Sequence, residues 1–266
     1  MMSPYDLVAE FYDEDMGRNT SGLDIPWYVS LAAKAHAALG GPVLELGAGT
    51  GRIALPIAAT GLTVWAVDRS QPMLTELLKK GRAAQLEPRL RLMMADISLL
   101  KLNQAFAAIL CPFSTFCYLI EDHERTYLFS LVQQQLMRGG VFALDVFIPN
   151  PTEEAAAAVA KLDYRRPLDA QEWAPAVMLE RVKTITRESA SINRIDRVYR
   201  FLDAVGHLVR EVRTTSRQRR WLPDDLVELL EAAGFDIIES CGDFNRAVPA
   251  ALPAKMASIV ALSRYP

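Results

Sequence analysis

The sequence predicts an α/β fold: a seven-stranded, mostly parallel sheet flanked by helices, with a small antiparallel β cap inserted after the fifth strand. Three observations predict it. Between residues 42 and 148 short apolar runs alternate with longer amphipathic ones, the rhythm of βαβ units. After Pro149-Asn150-Pro151 the rhythm gives way to three charge-rich runs with partial alternation, as half-solvated antiparallel strands require. Beyond Leu222 it returns to a helix and two apolar runs that complete the first sheet. With 266 residues, 51% of them hydrophobic, the chain has the material for one large core.

In order, the parallel strands are expected at PVLEL (42–46), LTVWAVD (62–68), LRLMMAD (90–96), FAAILCP (106–112) and VFALDVF (141–147). Helices are expected near 51–59, 71–85 and 122–137, the last stopped by Arg138-Gly139-Gly140, since a cation followed by glycine ends helices well. Pro56 falls inside the first of these helices, where a proline costs a hydrogen bond or a kink. The cap strands are VMLERVKTIT, INRIDRVYRFLD and HLVREVRTTSRQRRWL, broken at Glu188-Ser189 and Val205-Gly206. Leu222-Pro223-Asp224-Asp225 opens the next helix, and DIIESC and SIVALS follow as strands. The chain therefore divides into a main domain, 1–160 with 222–266, and a cap, 161–221. Only the Ala run at 155–158 is compositionally biased.

Composition narrows the partners. A formal charge of −3 and a pI near 5.7 lack the basic footprint of a nucleic-acid binder, so small molecules are the expected ligands. The N-terminus has no basic segment followed by an apolar one, and no stretch approaches the roughly 20 apolar residues of a membrane span, so a cytoplasmic protein without membrane association is expected. Cys111, Cys117 and Cys241 form no C-x-x-C pair, and His36, His123 and His207 lie far apart, so neither a disulfide framework nor a metal centre is expected. A homodimer is compatible with all of this.

The motif that carries chemistry is Gly47-Ala48-Gly49-Thr50-Gly51, after a strand and before a helix. Such glycines admit positive φ and close backbone approach, and free N–H groups point at whatever is bound. A dinucleotide fingerprint, G-x-G-x-x-G, would need a third glycine at position 52, which is Arg52. Glu45, just ahead of the loop, would repel a pyrophosphate and suits a ligand with a positive amino group. Asp68, 17 residues past Gly51, ends the second strand, and Asp96 ends the third. Each alone reads equally as a helix N-cap. Together they bring carboxylates from three successive strands to the ligand-binding edge of an open sheet.

VLELGAGTGRIALPIA, VWAVDRSQPML and MMADIS, within residues 43–98, resemble the first three motifs of class I S-adenosylmethionine-dependent methyltransferases, whose core is Rossmann-like. The resemblance implies that Gly47, Gly49 and Gly51 back the methionine part of the cofactor, that Asp68 binds the ribose hydroxyls, and that Asp96 and Ile97 face the adenine. Met73 would pack on the adenine, or serve as a buried helix residue. Glu45, Ala48, Arg69 and Pro112 complete the implied cofactor set. CPFSTFCYL (111–119) resembles the loop that borders both cofactor and acceptor, which makes Phe113 and Phe116, with Tyr5, the implied acceptor contacts. GGVFALDVFIPNP resembles the fifth strand of the small-molecule branch. SPYDLVAEFYDEDM resembles the N-terminal helix that closes over the cofactor as a lid, with Tyr12 as its contact. Tyr5 and Tyr12, seven apart on one helix face, read equally as two core anchors.

Methyl transfer is an in-line displacement, so positioning supplies most of the catalysis, and an acceptor that must lose a proton invites a general base. No residue stands out as that base. Tyr12, Asp145 and His207 are the weak candidates, and His123, in EDHER, reads as a solvated helix residue. The cap segment carries 14 Lys/Arg against 8 Asp/Glu, which either complements an anionic substrate or forms a solvated strand face. Its aromatic residues Tyr164, Trp173, Tyr199, Phe201 and Trp221 either line a pocket or form a small core. The expected function is methyl transfer from S-adenosylmethionine to a small molecule, at nitrogen first. Transfer to oxygen or carbon, a nicotinamide oxidoreductase, and a non-catalytic cofactor-binding protein stand as alternatives.

Overall fold

The computed structural model describes residues 3–16 and 22–264. A turn and a 3-10 segment, Ala9–Phe11, lead into α1 (Tyr12–Met16), and α2 (Asp24–Leu39) follows. The main domain continues as β1 (Val43–Leu46), α3 (Ala54–Ala59), β2 (Val64–Asp68), α4 (Gln71–Ala83), β3 (Leu90–Met94), β4 (Phe106–Cys111), α5 (Asp122–Gln135) and β5 (Leu136–Phe147). After α6 (Pro151–Ala157) come β6 (Lys161–Pro167), α7 (Ala170–Trp173), β7 (Met178–Arg187), β8 (Ile192–Leu202) and β9 (Leu208–Arg219). The chain then forms α8 (Pro223–Ala232), β10 (Phe235–Gly242) and β11 (Met256–Ser263).

The seven-stranded sheet has the order β10-β11-β5-β4-β1-β2-β3. Strands β1 to β5 pair in parallel, while β11 is antiparallel to both β5 and β10. This is the expected mostly parallel sheet. Strands β1 and β4 are buried along their whole length because helices cover both faces, which is why they read as unbroken apolar runs. On one face Leu44, Leu46, Ile109 and Phe142 pack against α5 and α8. On the other, Val43, Ala66, Ala108 and Leu110 pack against α2, α3 and α4. The strand order reverses between β1 and β4, and ligand crevices open at such switch points.

Three local expectations are corrected. Helix α3 starts at Ala54, later than expected, with Pro56 in its first turn; the Leu55 N–H donates to the Gly51 carbonyl and the Ile57 N–H to the Ile53 carbonyl, and the bond between them is the one a proline cannot make. Helix α5 ends at Gln135, and Arg138-Gly139-Gly140 belongs to β5. There Gly139 takes φ +81, and a Cβ on Gly140 would stand 2.9 Å from the Ala107 carbonyl, so these glycines serve a strand irregularity beside β4. Helix α2 was not anticipated. Its buried residues Tyr28, Ala32 and Ala35 form a stripe of mostly small side chains, a faint amphipathic signal.

The cap is a four-stranded antiparallel sheet, β6-β7-β8-β9, one strand more than expected. Strand β6 gives little sequence signal because it is a charged edge strand that ends in proline and leaves Leu162 exposed. The cap aromatics divide as a core: Phe11 of the N-terminal segment packs edge-on against Tyr199 and Phe201, at 5.1 and 5.0 Å between centroids. Tyr164 and Trp173 join that cluster, and Trp221 packs on Phe116 in the main core. Among the described residues no helix is long and apolar enough to cross a membrane.

Candidate active site

A cavity opens at the carboxyl ends of β1, β2 and β3. The chain leaves β1 through Gly47 and Gly49, at φ +73 and +53. The N–H groups of Gly47 and Ala48 both donate to the Val67 carbonyl (2.8 and 2.9 Å), which ties the loop to β2. A Cβ on Gly47 would lie 2.6 Å from the Thr115 side chain, whereas one on Gly49 would meet nothing within 4 Å. The Gly49 face is open space. Asp68 accepts from the Gly49 N–H and the Ser70 N–H, each at 2.8 Å. Burial raises its pKa, and these N–H donors oppose the shift.

Tyr12, Gly47, Gly49 and Asp68 line this cavity, together with Arg69, Met73, Asp96 and Ile97. Four residues of the implied cofactor set stand behind its wall instead. Gly51 (φ +89) is a packing glycine, since a Cβ there would come 2.7 Å from Leu77 of α4. Ala48 is buried with its N–H used by β2. The Pro112 carbonyl accepts from the Thr115 N–H and Oγ1. Glu45 is buried beneath the loop with Oε2 unpartnered, and burial followed by the Asp68 charge pushes its pKa well up.

A second cavity, about 490 Å³ against about 130 Å³ for the first, lies beneath the cap sheet. Tyr5, Tyr12, Phe113 and Tyr118 line both, so these four rings form the junction. The Tyr5 and Tyr118 hydroxyls hydrogen-bond to each other, and Gln218 Nε2 of β9 donates to the Tyr118 hydroxyl at 2.6 Å. Burial raises the pKa of both Tyr5 and Tyr12, so at neutral pH they are phenols rather than phenolates. Of the loop's aromatic residues Tyr118 lines the two cavities, whereas the expected acceptor contact Phe116 does not. The 3-10 turn Thr115–Tyr118 rotates Phe116 into the core, against Phe129 and Trp221, and Tyr118 onto the wall.

The N-terminal segment is fastened from both sides. Asp13 accepts from Thr50 Oγ1 (2.6 Å) in the glycine loop and from Lys80 Nζ (2.5 Å) in α4. Asp15 is buried and accepts from Tyr164 (2.5 Å), Tyr199 (3.0 Å) and Arg181 (2.5 Å) of the cap.

Two base candidates lie elsewhere. His207 is exposed at the β8–β9 turn beside Asp203, away from both cavities. Asp145 faces inward under the loop after β4, accepting from the Tyr28 hydroxyl (2.6 Å) and from the N–H groups of Phe113 (2.8 Å) and Ser114 (3.1 Å). It holds Phe113 and Ser114 at φ +55 and +58, a conformation that costs non-glycine residues energy. Asp145→Asn turns one acceptor into a donor facing another donor and is expected to cost about 1–3 kcal/mol in chemical denaturation. Burial raises this carboxyl to about 6. The native state then holds a proton that the unfolded state releases, so stability falls as pH rises from the ordinary aspartate value through about 6. The variant lacks that term, and its deficit is expected to deepen as the pH is lowered from 7 toward 4.

Residues 43–140 match the methyltransferase domain family. Cypemycin N-terminal methyltransferase from a Streptomyces species is 30% identical over 164 residues, 61% of this chain and 64% of that protein. The match therefore spans less than two thirds of that relative's length. Two solved structures are similar over nearly the whole chain. An S-adenosylmethionine-dependent methyltransferase from Clostridium acetobutylicum has a TM-score of 0.76 at 18% identity, covering 98% of this chain and 99% of its own. The CcbJ methyltransferase from Streptomyces caelestis has a TM-score of 0.75 at 23% identity, covering 98% of each. At such identities the likeness is one of fold.

The residues present fit an S-adenosyl cofactor. The open face at Gly49 is space that a Cβ would fill, and Asp68 and Asp96 supply acceptors at the strand ends. Residues 43–140 thus belong to the methyltransferase domain family, and the chain carries the fold of the S-adenosylmethionine-dependent methyltransferases.

Proposed function

We propose that the protein transfers a methyl group from S-adenosylmethionine to a nitrogen of a small molecule, with residues 161–221 as a cap over the acceptor and the N-terminal segment as a lid. One observation carries the reading: a cavity walled by the glycine loop and strand-end carboxylates meets a larger cavity under the cap, across a junction of four aromatic rings. The cofactor, when bound, supplies an electrophilic methyl group on a sulfonium. In this reading Asp68 and Arg69 hold its ribose, Met73 and Ile97 flank its adenine, and the space beside Gly47 and Gly49 takes its methionine part.

Nitrogen is favoured over oxygen by the chemistry of the junction. A hydroxyl acceptor needs a base, and the groups nearest the junction are phenols, two of them with raised pKa. A neutral amine is nucleophilic without one. Tyr5, Tyr12, Tyr118 and Phe113 can orient it and exclude water, which is the main requirement of an in-line displacement. The name of the similar Streptomyces protein, cypemycin N-terminal methyltransferase, is consistent with this reading. The test is mass spectrometry of a metabolite extract incubated with the protein and methyl-labelled S-adenosylmethionine. A product one labelled methyl heavier, with fragments placing it on nitrogen, is expected. Labelled oxygen or carbon overturns the choice of atom, and tight NAD(H) binding without S-adenosylmethionine binding overturns the whole reading.

A further inference from the structure

The second cavity carries an excess of positive charge: six Lys and Arg side chains line it against two carboxylates, Asp15 and Glu154. Alternate residues of the cap strands face it: Arg181, Lys183 and Ile185 from β7, and Asn193, Ile195 and Arg197 from β8. Two of the cavity's arginines are neutralised internally. Arg181 pairs with Asp15 and Asp163 at 2.5 and 2.6 Å, and Arg220 with Glu154 at 2.7 Å. Lys183 and Arg197 differ. Among the described residues neither Lys183 nor Arg197 pairs with a carboxylate, and Arg197 makes a neutral hydrogen bond to Ser216 Oγ at 3.0 Å; of the cavity's other cations, Arg219 donates to the Ile120 carbonyl and Lys255 is exposed.

These two cations are also direct cross-strand partners, Lys183 on β7 opposite Arg197 on β8. Like charges directly opposite one another destabilise a sheet. Burial pushes the Lys183 ammonium below the ordinary lysine value, the charges of Arg181 and Arg197 push the same way, and Asp163 and Asp15 oppose them. Thr214 of β9 is the next partner in register beyond Arg197 and faces the same cavity, so an ammonium, a guanidinium and a hydroxyl form one row across three strands. An ammonium and a planar guanidinium side by side suit a bound oxyanion, with the guanidinium able to take two oxygens at once.

We propose that the acceptor carries an oxyanion, a carboxylate or a phosphate, and that this group binds between Lys183 and Arg197. The inference rests on the reading of this cavity as the acceptor site, and it adds the acceptor's chemical class. Both residues lie on the cap wall, outside the lining of the first cavity. An oxyanion held there leaves the rest of the acceptor to extend toward Tyr5 and Tyr118, which line the same cavity.

The test uses the full chain as wild type, Lys183→Met and Arg197→Met, with inorganic phosphate and acetate as probes and sodium chloride at equal ionic strength as the control. Phosphate or acetate is expected to raise the wild-type melting temperature above the chloride control, with little rise in either variant. Titration is expected to show the effective anion bound about tenfold or more weakly by each variant, as losing one hydrogen bond between charged groups implies. A response to phosphate alone assigns a phosphorylated acceptor, and a response to acetate alone a carboxylic acid. Without anion, Lys183→Met relieves the like-charge pair and is expected to melt at or above wild type. No anion response in wild type, an equal response in the variants, or a lower melting temperature for Lys183→Met in chloride overturns the proposal. S-adenosylmethionine affinity is measured on the same samples. Wild type that binds the anion at this row but not S-adenosylmethionine would remove the methyl-transfer reading and leave the anion site standing.

Discussion

Replacing Asp68 with alanine is expected to weaken S-adenosylmethionine binding by about 3 kcal/mol or more, on the order of a hundredfold, in isothermal titration. The carboxylate has two tasks in the proposed site. It faces the first cavity, where it would accept the ribose hydroxyls, and it accepts from the N–H groups of Gly49 and Ser70, which fix the glycine loop and the start of α4. Alanine removes both. Asp68→Asn keeps one acceptor oxygen and is expected to fall between alanine and wild type. Because burial raises the Asp68 pKa, affinity is also expected to drop with falling pH at a higher pH than an ordinary aspartate would give. An alanine variant with wild-type affinity would exclude Asp68 as the cofactor carboxylate.

The second large effect is expected at Asp15. Its side chain is 3% exposed and that of Arg181 is 5%, so the pair is buried between the N-terminal segment and the cap. Breaking a buried ion pair by removing one partner costs about 3–5 kcal/mol. Asp163 still pairs with Arg181 at 2.6 Å, so Asp15→Ala is expected near the lower end of that range. The hydroxyls of Tyr164 and Tyr199 lose their acceptor as well. The loss is expected to be local first, with faster proteolysis and amide exchange in residues 3–16 and weaker cofactor binding, because Tyr12 of the same segment lines the first cavity. Global unfolding with no preceding release of this segment would show that Asp15 serves the cap core alone. Limited proteolysis alongside thermal melting separates the two.

The proposed cofactor half of the site was legible because it is local. Gly47, Gly49, Asp68 and Asp96 fall within 50 residues, at the ends of three successive parallel strands. A parallel sheet delivers such ends to one edge whatever the rest of the chain does. Behind that wall the sequence was less informative. Gly51 has the loop's composition, yet it serves contact with Leu77, and Glu45 sits beneath the loop. Asp145 was visible as a carboxylate on a central strand, but its aim at Tyr28, Phe113 and Ser114 depends on helix α2 and on a loop 32 residues earlier.

By itself the sequence determined the α/β class, the interruption of the main sheet by an antiparallel cap, and the glycine and carboxylate edge, since periodicity and strand-end composition are properties of neighbouring residues. Tertiary structure decided the second cavity. Its wall joins Tyr5, Tyr118, Lys183, Arg197 and Gln218, residues from the N-terminal segment, a loop and three cap strands. Which face of a strand turns inward depends on register, and a one-residue slip would send Lys183 and Arg197 to solvent. The basic excess of the cap was plain in the sequence, and only the pairing of β7 with β8 set two of its cations opposite each other on the wall of one cavity.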